Sequence, residues 1–396
     1  MSPNPNFPFF FDYSSASPID PRVLVQMLPA LEEKFGNNSS QSHLLGWEAH
    51  QIVEKARHQV SSLINAHPSE IVWTSGTTES NNLAIKGITQ SKAFEGRHVI
   101  TAETEHRAVL DVFGALEGAG FVVTYLPVKS DGLLDLKKLV GAIKPSTVLV
   151  SVMSVNHETG VVQDIQSISR LCQERNIPFH IDASQATGKL LIDVSQTPVS
   201  ALSLPSQKIF GPKGIGALYL SRHNAFRIKP QLHGGRQEQN IRSGTIPNHQ
   251  VVGMGAAFQL AALNHSVEVR RIKRLGSNLI SGLSLLEGTK INGHLRMRIP
   301  HTPNFSFNWV EGRSLIMALK SISISSGSAC TSVSFRTPDA LQFSADHNHT
   351  NSIRFSIGRY TKGEDISYAI TAVRSRTKGL RLLSTLWNEV RLDALE

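Results

Sequence analysis

The chain has 396 residues, of which 40% are hydrophobic, 7% aromatic and 18% charged, an ordinary globular composition long enough for two domains. No apolar run approaches the roughly 18 residues of a membrane span, and the start, MSPNPNFPFFFDYSS, lacks the basic-then-apolar pattern of a secretory signal, so a cytoplasmic protein with no membrane attachment is expected. The net charge of +9 gathers at Arg270, Arg271, Lys273 and Arg274 and again at Arg374, Arg376, Lys378 and Arg381, with helical spacing that reads as solvated helix faces; no nucleic-acid motif accompanies them, so direct nucleic-acid binding is not expected.

From about residue 70 the chain alternates short β-rich apolar runs with amphipathic stretches. EIVWTSG, RHVITAE, FVVTYLPV, TVLVSVMSVN, IPFHIDAS, SALSLP and GIGALYLS read as strands, while ESNNLAIKGITQSKAF and DIQSISRLCQERN read as helices. This alternation predicts an α/β fold with a mostly parallel sheet covered by helices, and ligands at the carboxyl ends of its strands. A helical segment, IPNHQVVGMGAAFQLAALNH, is followed by the basic helix near Arg270, then by strand-like NFSFNWV and SISIS and closing helices at 364–391. The expected division is a large domain over 17–263 and a smaller α+β domain over 264–396, with residues 1–16 as an arm packing on the latter. FGPKGIG fits neither common nucleotide-loop fingerprint and leads into a strand rather than a helix.

Two cysteines exclude a disulfide framework. Cys172 sits in an amphipathic helical pattern and reads as a small buried hydrophobe, whereas Cys330, in ISSGSACTS, sits in a small polar segment that cannot form a core and reads as an accessible nucleophile. In IVWTSGTTESNN a strand ends at Thr74, and Ser75, Gly76, Thr77 and Thr78 lead into a helix, an arrangement suited either to a phosphate or to an ordinary helix cap. HIDASQATG puts Asp182 at a strand end with Gln185 close behind, and LPSQKIFGPKG puts Lys208 between an apolar strand and a Gly-rich turn. A phosphate site, a carboxylate, a lysine and a thiol in one α/β domain fit pyridoxal-phosphate chemistry.

TSGTTESNNLAIKG, TEHRAVLD, HIDASQATGK, QKIFGPKGIGALY, RSGTIPNHQVVGMG, SSGSACTS and SIRFSIGRYT, in this order from about Phe11 to Trp387, resemble the IscS/NifS cysteine desulfurases, pyridoxal 5'-phosphate enzymes of fold type I, with IscS the nearer relative. The resemblance implies conversion of L-cysteine to alanine by a homodimer that passes sulfur to an acceptor protein, such as an iron–sulfur scaffold or a tRNA-thiolation carrier. It implies that Lys208 carries the cofactor and moves the Cα proton, Asp182 holds the pyridine nitrogen protonated, Gln185 binds the ring hydroxyl and His106 stacks over the ring. It further implies that Gly76, Thr77, Thr78 and position 207 bind the phosphate, with Thr245 reaching the phosphate of the other subunit. Arg354 and position 157 would hold the substrate carboxylate, and Cys330 would attack the substrate sulfur. No resident metal is implied; Asp346, His347 and His349 read as a solvated loop.

Three positions depart from the family pattern. Where its Ser-Gly-His-Lys segment is expected, this chain has Pro205, Ser206, Gln207 and Lys208, so Pro205 removes a hydroxyl and Gln207 cannot carry a positive charge. His157 replaces the second Asn of VNNE-x-G with a bulkier group that titrates near neutrality. These changes leave two alternatives: a diverged paralog that binds cofactor poorly and acts through protein contacts, or a lyase of selenocysteine or a sulfinate. Joint retention of Lys208, Asp182, His106 and Cys330 speaks against the first.

Overall fold

The computed structural model describes residues 9–326, 352–384 and 387. A two-residue strand, β1 (Phe9–Phe10), is followed by helices α1 (Pro21–Glu32) and α2 (Leu44–Leu63). Then strands and helices alternate: β2 (Ile71–Thr74), α3 (Thr77–Thr89), β3 (His98–Ala102), α4 (Arg107–Gly118), β4 (Val122–Leu126), α5 (Leu136–Ala142), β5 (Thr147–Met153), α6 (Ile165–Glu174) and β6 (Phe179–Asp182). Two more strands, β7 (Ala201–Pro205) and β8 (Gly216–Leu220), complete a seven-stranded sheet of order β2-β8-β7-β6-β5-β3-β4. Only β8 runs against the others, antiparallel to both β2 and β7. Helices cover both faces, so runs such as IVWT, HVITA and TVLVSVM are buried at every position and read as continuous apolar stretches rather than alternating ones. All seven strands expected from the sequence are present.

The two helical segments expected around residues 247–264 and 270 are one helix, α7 (Asn248–Ser284). No Pro interrupts the polar Asn264-His265-Ser266 stretch, and the Asn264 amide donates back to the Leu260 carbonyl at 2.7 Å. The first half of α7 places Val251, Met254, Ala257 and Phe258 in the core under the sheet. Its second half places Ile272, Leu275, Leu279 and Leu283 in a separate core with Phe11, Phe305, Phe307 and Phe355. Around that second core lie β9 (Thr289–Ile291), β10 (Asn304–Phe307), α8 (Gly312–Ala318), β11 (Ile322–Ser323), β12 (Ser325–Ser326), β13 (Ser352–Arg354) and α9 (Gly363–Leu382). β12, β13, β10 and β9 form an antiparallel four-stranded sheet in that order.

The N-terminal arm joins the two cores. β1 pairs in parallel with β11, and the Phe11 carbonyl accepts from Ser356 N at 2.7 Å. A few residues later, Ser17 N and Oγ both donate to the Gln207 carbonyl, Ser17 Oγ accepts from Phe210 N, and Asp20 N donates to the Phe210 carbonyl. Phe210 adopts a left-handed φ of 68°, a conformation a bulky residue holds only where its surroundings fix it. The arm thus clasps the turn that carries Lys208.

Two of the basic residues expected to be solvated are structural instead. The Arg271 guanidinium donates to the carbonyls of Thr361, Gly358 and Arg359 at 2.7–3.0 Å. Arg381 is buried, donates to the Asn308 carbonyl and lies against the rings of Trp309 and Trp387. Long cationic side chains near a polar chain end satisfy carbonyls as well as water does, which charge counting does not reveal. Cys172 is buried as expected, and burial pushes its thiol up to about 12. Among the described residues no helix is long and apolar enough to cross a membrane.

Candidate active site

Gly76, Thr77, Thr78, His106, His157, Asp182, Gln185, Gln207 and Lys208 lie at or just beyond the carboxyl ends of β2, β3, β5, β6 and β7, where an open α/β sheet presents its crevice. At the end of β2 the chain turns through Gly76, whose φ of 150° and ψ of 177° open the way into α3. No side chain caps α3, and a Cβ built on Gly76 would meet nothing within 4 Å, so the turn is open beside Gly76. Gly216, opposite Pro205, approaches so closely that a Cβ there would lie 2.7 Å from the Gly76 Cα. Thr77 is half-buried and Thr78 exposed on this turn. Glu79 would repel an anion here, but the Arg242 guanidinium meets it at 2.8 Å and Ser75 N donates to it at 2.7 Å.

Asp182 ends β6 buried, with one oxygen accepting from Asn81 Nδ2 and the other from Ser184 N, both at 2.8 Å. Two donors fix the carboxylate plane and leave further lone pairs for a cationic ring nitrogen. Gln185 is buried, its Nε2 donating to the Ser14 carbonyl at 3.0 Å and its Oε1 accepting from Lys189 at 2.9 Å.

His106 caps α4: Ala108 N donates to its Nδ1 at 3.1 Å, which places the neutral ring's proton on Nε2. Burial and the Lys208 ammonium lower its pKa from the usual histidine range. His157 stands edge-on to it, with ring centroids 5.1 Å apart. Burial, then His106, Arg354 and Lys208, hold His157 well below the usual value, so it faces the site as a neutral imidazole. Lys208 follows β7 within electrostatic reach of His106, His157 and Lys189. Arg354, on β13, is buried and uses three of its five N–H donors on the His157 carbonyl, Asp12 and Ser15 at 2.8–3.0 Å; its Nε–H has no partner among the described residues.

The altered segment before Lys208 has a clear geometry. Paired residues of adjacent strands share a face, so Pro205 shares that of Gly216, which looks onto Gly76. Ser206, one residue on, points the other way, where a Cβ on Gly211 would meet its Oγ at less than van der Waals distance. The Ser206 hydroxyl, buried and without a partner among the described residues, therefore does not replace the one Pro205 removes. Gln207 is half-buried. Thr245 is exposed on the loop anchored by the Arg242–Glu79 pair, and Cys330 with Asp346, His347 and His349 lies outside the described residues.

Sequence reasoning missed Asn81, Asp12, Ser14, Glu105 and Lys189. Asn81 alone left a signal, lying one helical turn after Thr77 on the inward side of α3; the others act across long stretches of chain. Glu105 is buried beside Asp182, its Oε1 accepting from Met153 N, and burial raises its pKa well above the carboxylate range.

An uncapped helix start, a doubly held carboxylate and a lysine lie together at these strand ends, and residues 9–368 match the family described as Aminotransferase class-V. Cysteine desulfurase IscS of Methylococcus capsulatus is 51% identical over 391 residues, covering 98% of this chain and 97% of its own. A solved NifS-like protein superposes with a TM-score of 0.87 at 32% identity, covering 94% of this chain and 100% of that one. A structure titled SspA in complex with cysteine gives 0.80 at 33% identity, covering 89% and 99%. The chain belongs to the IscS-type cysteine desulfurases, which are pyridoxal-phosphate-dependent.

Proposed function

We propose that this enzyme converts L-cysteine to L-alanine and hands the sulfur, through a Cys330 persulfide, to an acceptor protein. What carries the reading is the meeting of Lys208, His106, Asp182 and Arg354 at one sheet edge, in a chain half-identical to a cysteine desulfurase. Pyridoxal phosphate bound there supplies an electron sink that acidifies the amino acid's Cα–H and loosens its hold on sulfur. Lys208 holds the cofactor and afterwards moves the Cα proton. Asp182, oriented by Asn81, keeps the ring nitrogen protonated, and Gln185 donates to the ring hydroxyl. The first turn of α3, from Gly76 through Thr77 and Thr78, binds the phosphate together with the Gln207 amide and a partner subunit's Thr245. His106 stacks over the ring and holds its proton at Nε2.

The substrate carboxylate meets the remaining donors of Arg354 and a neutral His157 that donates a hydrogen bond rather than a charge. The Cys330 thiolate attacks the substrate sulfur, forming an S–S bond as the C–S bond breaks, and a returned proton completes alanine. This role of Cys330 rests on the resemblance of SSGSACTS. A homodimer is supported by exposed apolar side chains, Leu24, Val25, Leu28 and Leu31 on α1 and Leu44 and Trp47 on α2. An iron–sulfur scaffold or a tRNA-thiolation carrier, in the cytoplasm, is the acceptor this family reading favours.

The test is the absorption spectrum of protein supplied with pyridoxal phosphate, followed by L-cysteine turnover read as alanine and sulfide with a thiol reductant. A Lys208-dependent colour is expected, with sulfide release lost in both Lys208→Ala and Cys330→Ala. A protein that stays colourless and inert with added cofactor overturns the reading.

A further inference from the structure

Beside the cofactor pocket lies a lysine that none of the chemistry above uses. Lys189 sits in the turn after β6, and its Nζ donates to Gln185 Oε1 at 2.9 Å. Among the described residues no carboxylate pairs with it. Its charged neighbours are the cations Lys208 and Arg354, and burial followed by these charges lowers its pKa to about 7. His301, on the same side, is held neutral by burial, with Lys189 the next cause. A half-buried ammonium among like charges is costly unless a specific contact offsets it.

That contact is informative because of its chemistry. While protonated, below its pKa of about 7, Lys189 only donates and so requires the oxygen of the Gln185 amide; the Ser14 carbonyl only accepts, so it requires the nitrogen at any pH. Turning the amide over would set oxygen against oxygen and N–H against N–H. One hydrogen of Nε2 is spent on Ser14, and the other is the single polar hydrogen Gln185 has left to offer.

We propose that Lys189 is a positioning residue that locks the Gln185 amide so that only an N–H faces the cofactor's ring oxygen. This rests on the functional reading above, and it assigns a task to a side chain that touches neither substrate nor cofactor. A fixed donor beside a nearby cation favours the deprotonated ring oxygen and makes it less basic. Without Lys189 the amide is held by the Ser14 carbonyl alone and its remaining N–H is less firmly aimed, so the ring oxygen becomes more basic and the linkage of Lys208 to the cofactor holds its proton to higher pH.

The experiment is a pH titration of bound-cofactor absorbance in wild type, Lys189→Met, Lys189→Arg and Gln185→Leu. Lys189→Met is expected to raise the midpoint of the colour change by about one pH unit, the size of one lost charge-assisted hydrogen bond. Lys189→Arg restores most of the wild-type midpoint, Gln185→Leu gives the methionine shift, and the double variant Lys189→Met/Gln185→Leu adds nothing further. An unchanged midpoint in a coloured Lys189→Met protein overturns the proposal, as does full additivity in the double variant. Should the methionine variant not fold, Lys189→Gln replaces it, with a smaller upward shift expected and none overturning. A wild type without Lys208-dependent colour instead overturns the functional reading, and this inference with it.

Discussion

Pro205 shows how one side chain sets a measurable affinity. Its face looks onto Gly76 and the open start of α3, and it offers no hydrogen there, while the hydroxyl of Ser206 is turned to the opposite face. Pro205→Ser is therefore expected to tighten pyridoxal-phosphate binding about tenfold, the value of one hydrogen bond to a charged group, as read by titrating the cofactor-free protein and following absorbance. An unchanged dissociation constant would mean that the α3 amides already saturate the phosphate. The same contrast explains what was legible at this scale. Lys208, Asp182 and His106 follow apolar strands and stand inside recognisable segments. Asp12 and Ser14 reach the site from the far end of the chain, through contacts with Arg354 and Gln185 that no local pattern encodes.

Among the elements, α7 shows why small residues recur in VVGMGAAF. A Cβ on Gly255 would lie 2.7 Å from the Ala56 Cα on α2, a backbone atom that cannot move aside, whereas a Cβ on Gly253 would first meet the Met27 side chain of α1. Gly255→Ala is expected to destabilise the protein by about 1–3 kcal/mol despite the better helix propensity of alanine. Gly253→Ala should cost less, because a methionine end can shift. Urea unfolding of the two variants decides this; equal costs would refute the backbone-contact argument. The strands were legible because β-branched runs buried on both faces leave an unbroken apolar signature, as in TVLVSVM. The continuity of α7 was not, because its polar middle crosses between two cores and looks like a boundary.

At the level of the whole molecule, burial of histidines makes the fold sensitive to acid. His180, held between the hydroxyls of Ser151 and Ser203, drops from 6.5 to about 4, and His157 and His301 lie well below 6.5. Each folded-state value is depressed, so the unfolded chain takes up more protons as pH falls below 6.5 and stability is lost in that direction. Each histidine contributes up to about 1.4 kcal/mol per pH unit, His98 and His106 shift in the same direction, and Glu105, whose raised pKa acts in the opposite sense, offsets part of this. Urea midpoints of the cofactor-free protein should therefore fall between pH 6.5 and 4.5; a flat or rising trend would contradict the assignment of these rings as neutral.

The N-terminal arm carries a consequence for the order in which the protein is made. Phe11 is made long before the partners of its backbone, Ser323 and Ser356, and Asp12 long before Arg354. Until those partners have emerged, a segment that carries the core residue Phe11 lacks the strands that hold it in place. The sheet that carries Lys208 can assemble meanwhile, but the arm that clasps its turn is held at one end only. A nascent chain of this enzyme thus exposes Phe9, Phe10 and Phe11 until those partners are made, which makes the segment a natural resting place for a chaperone that binds extended apolar peptide.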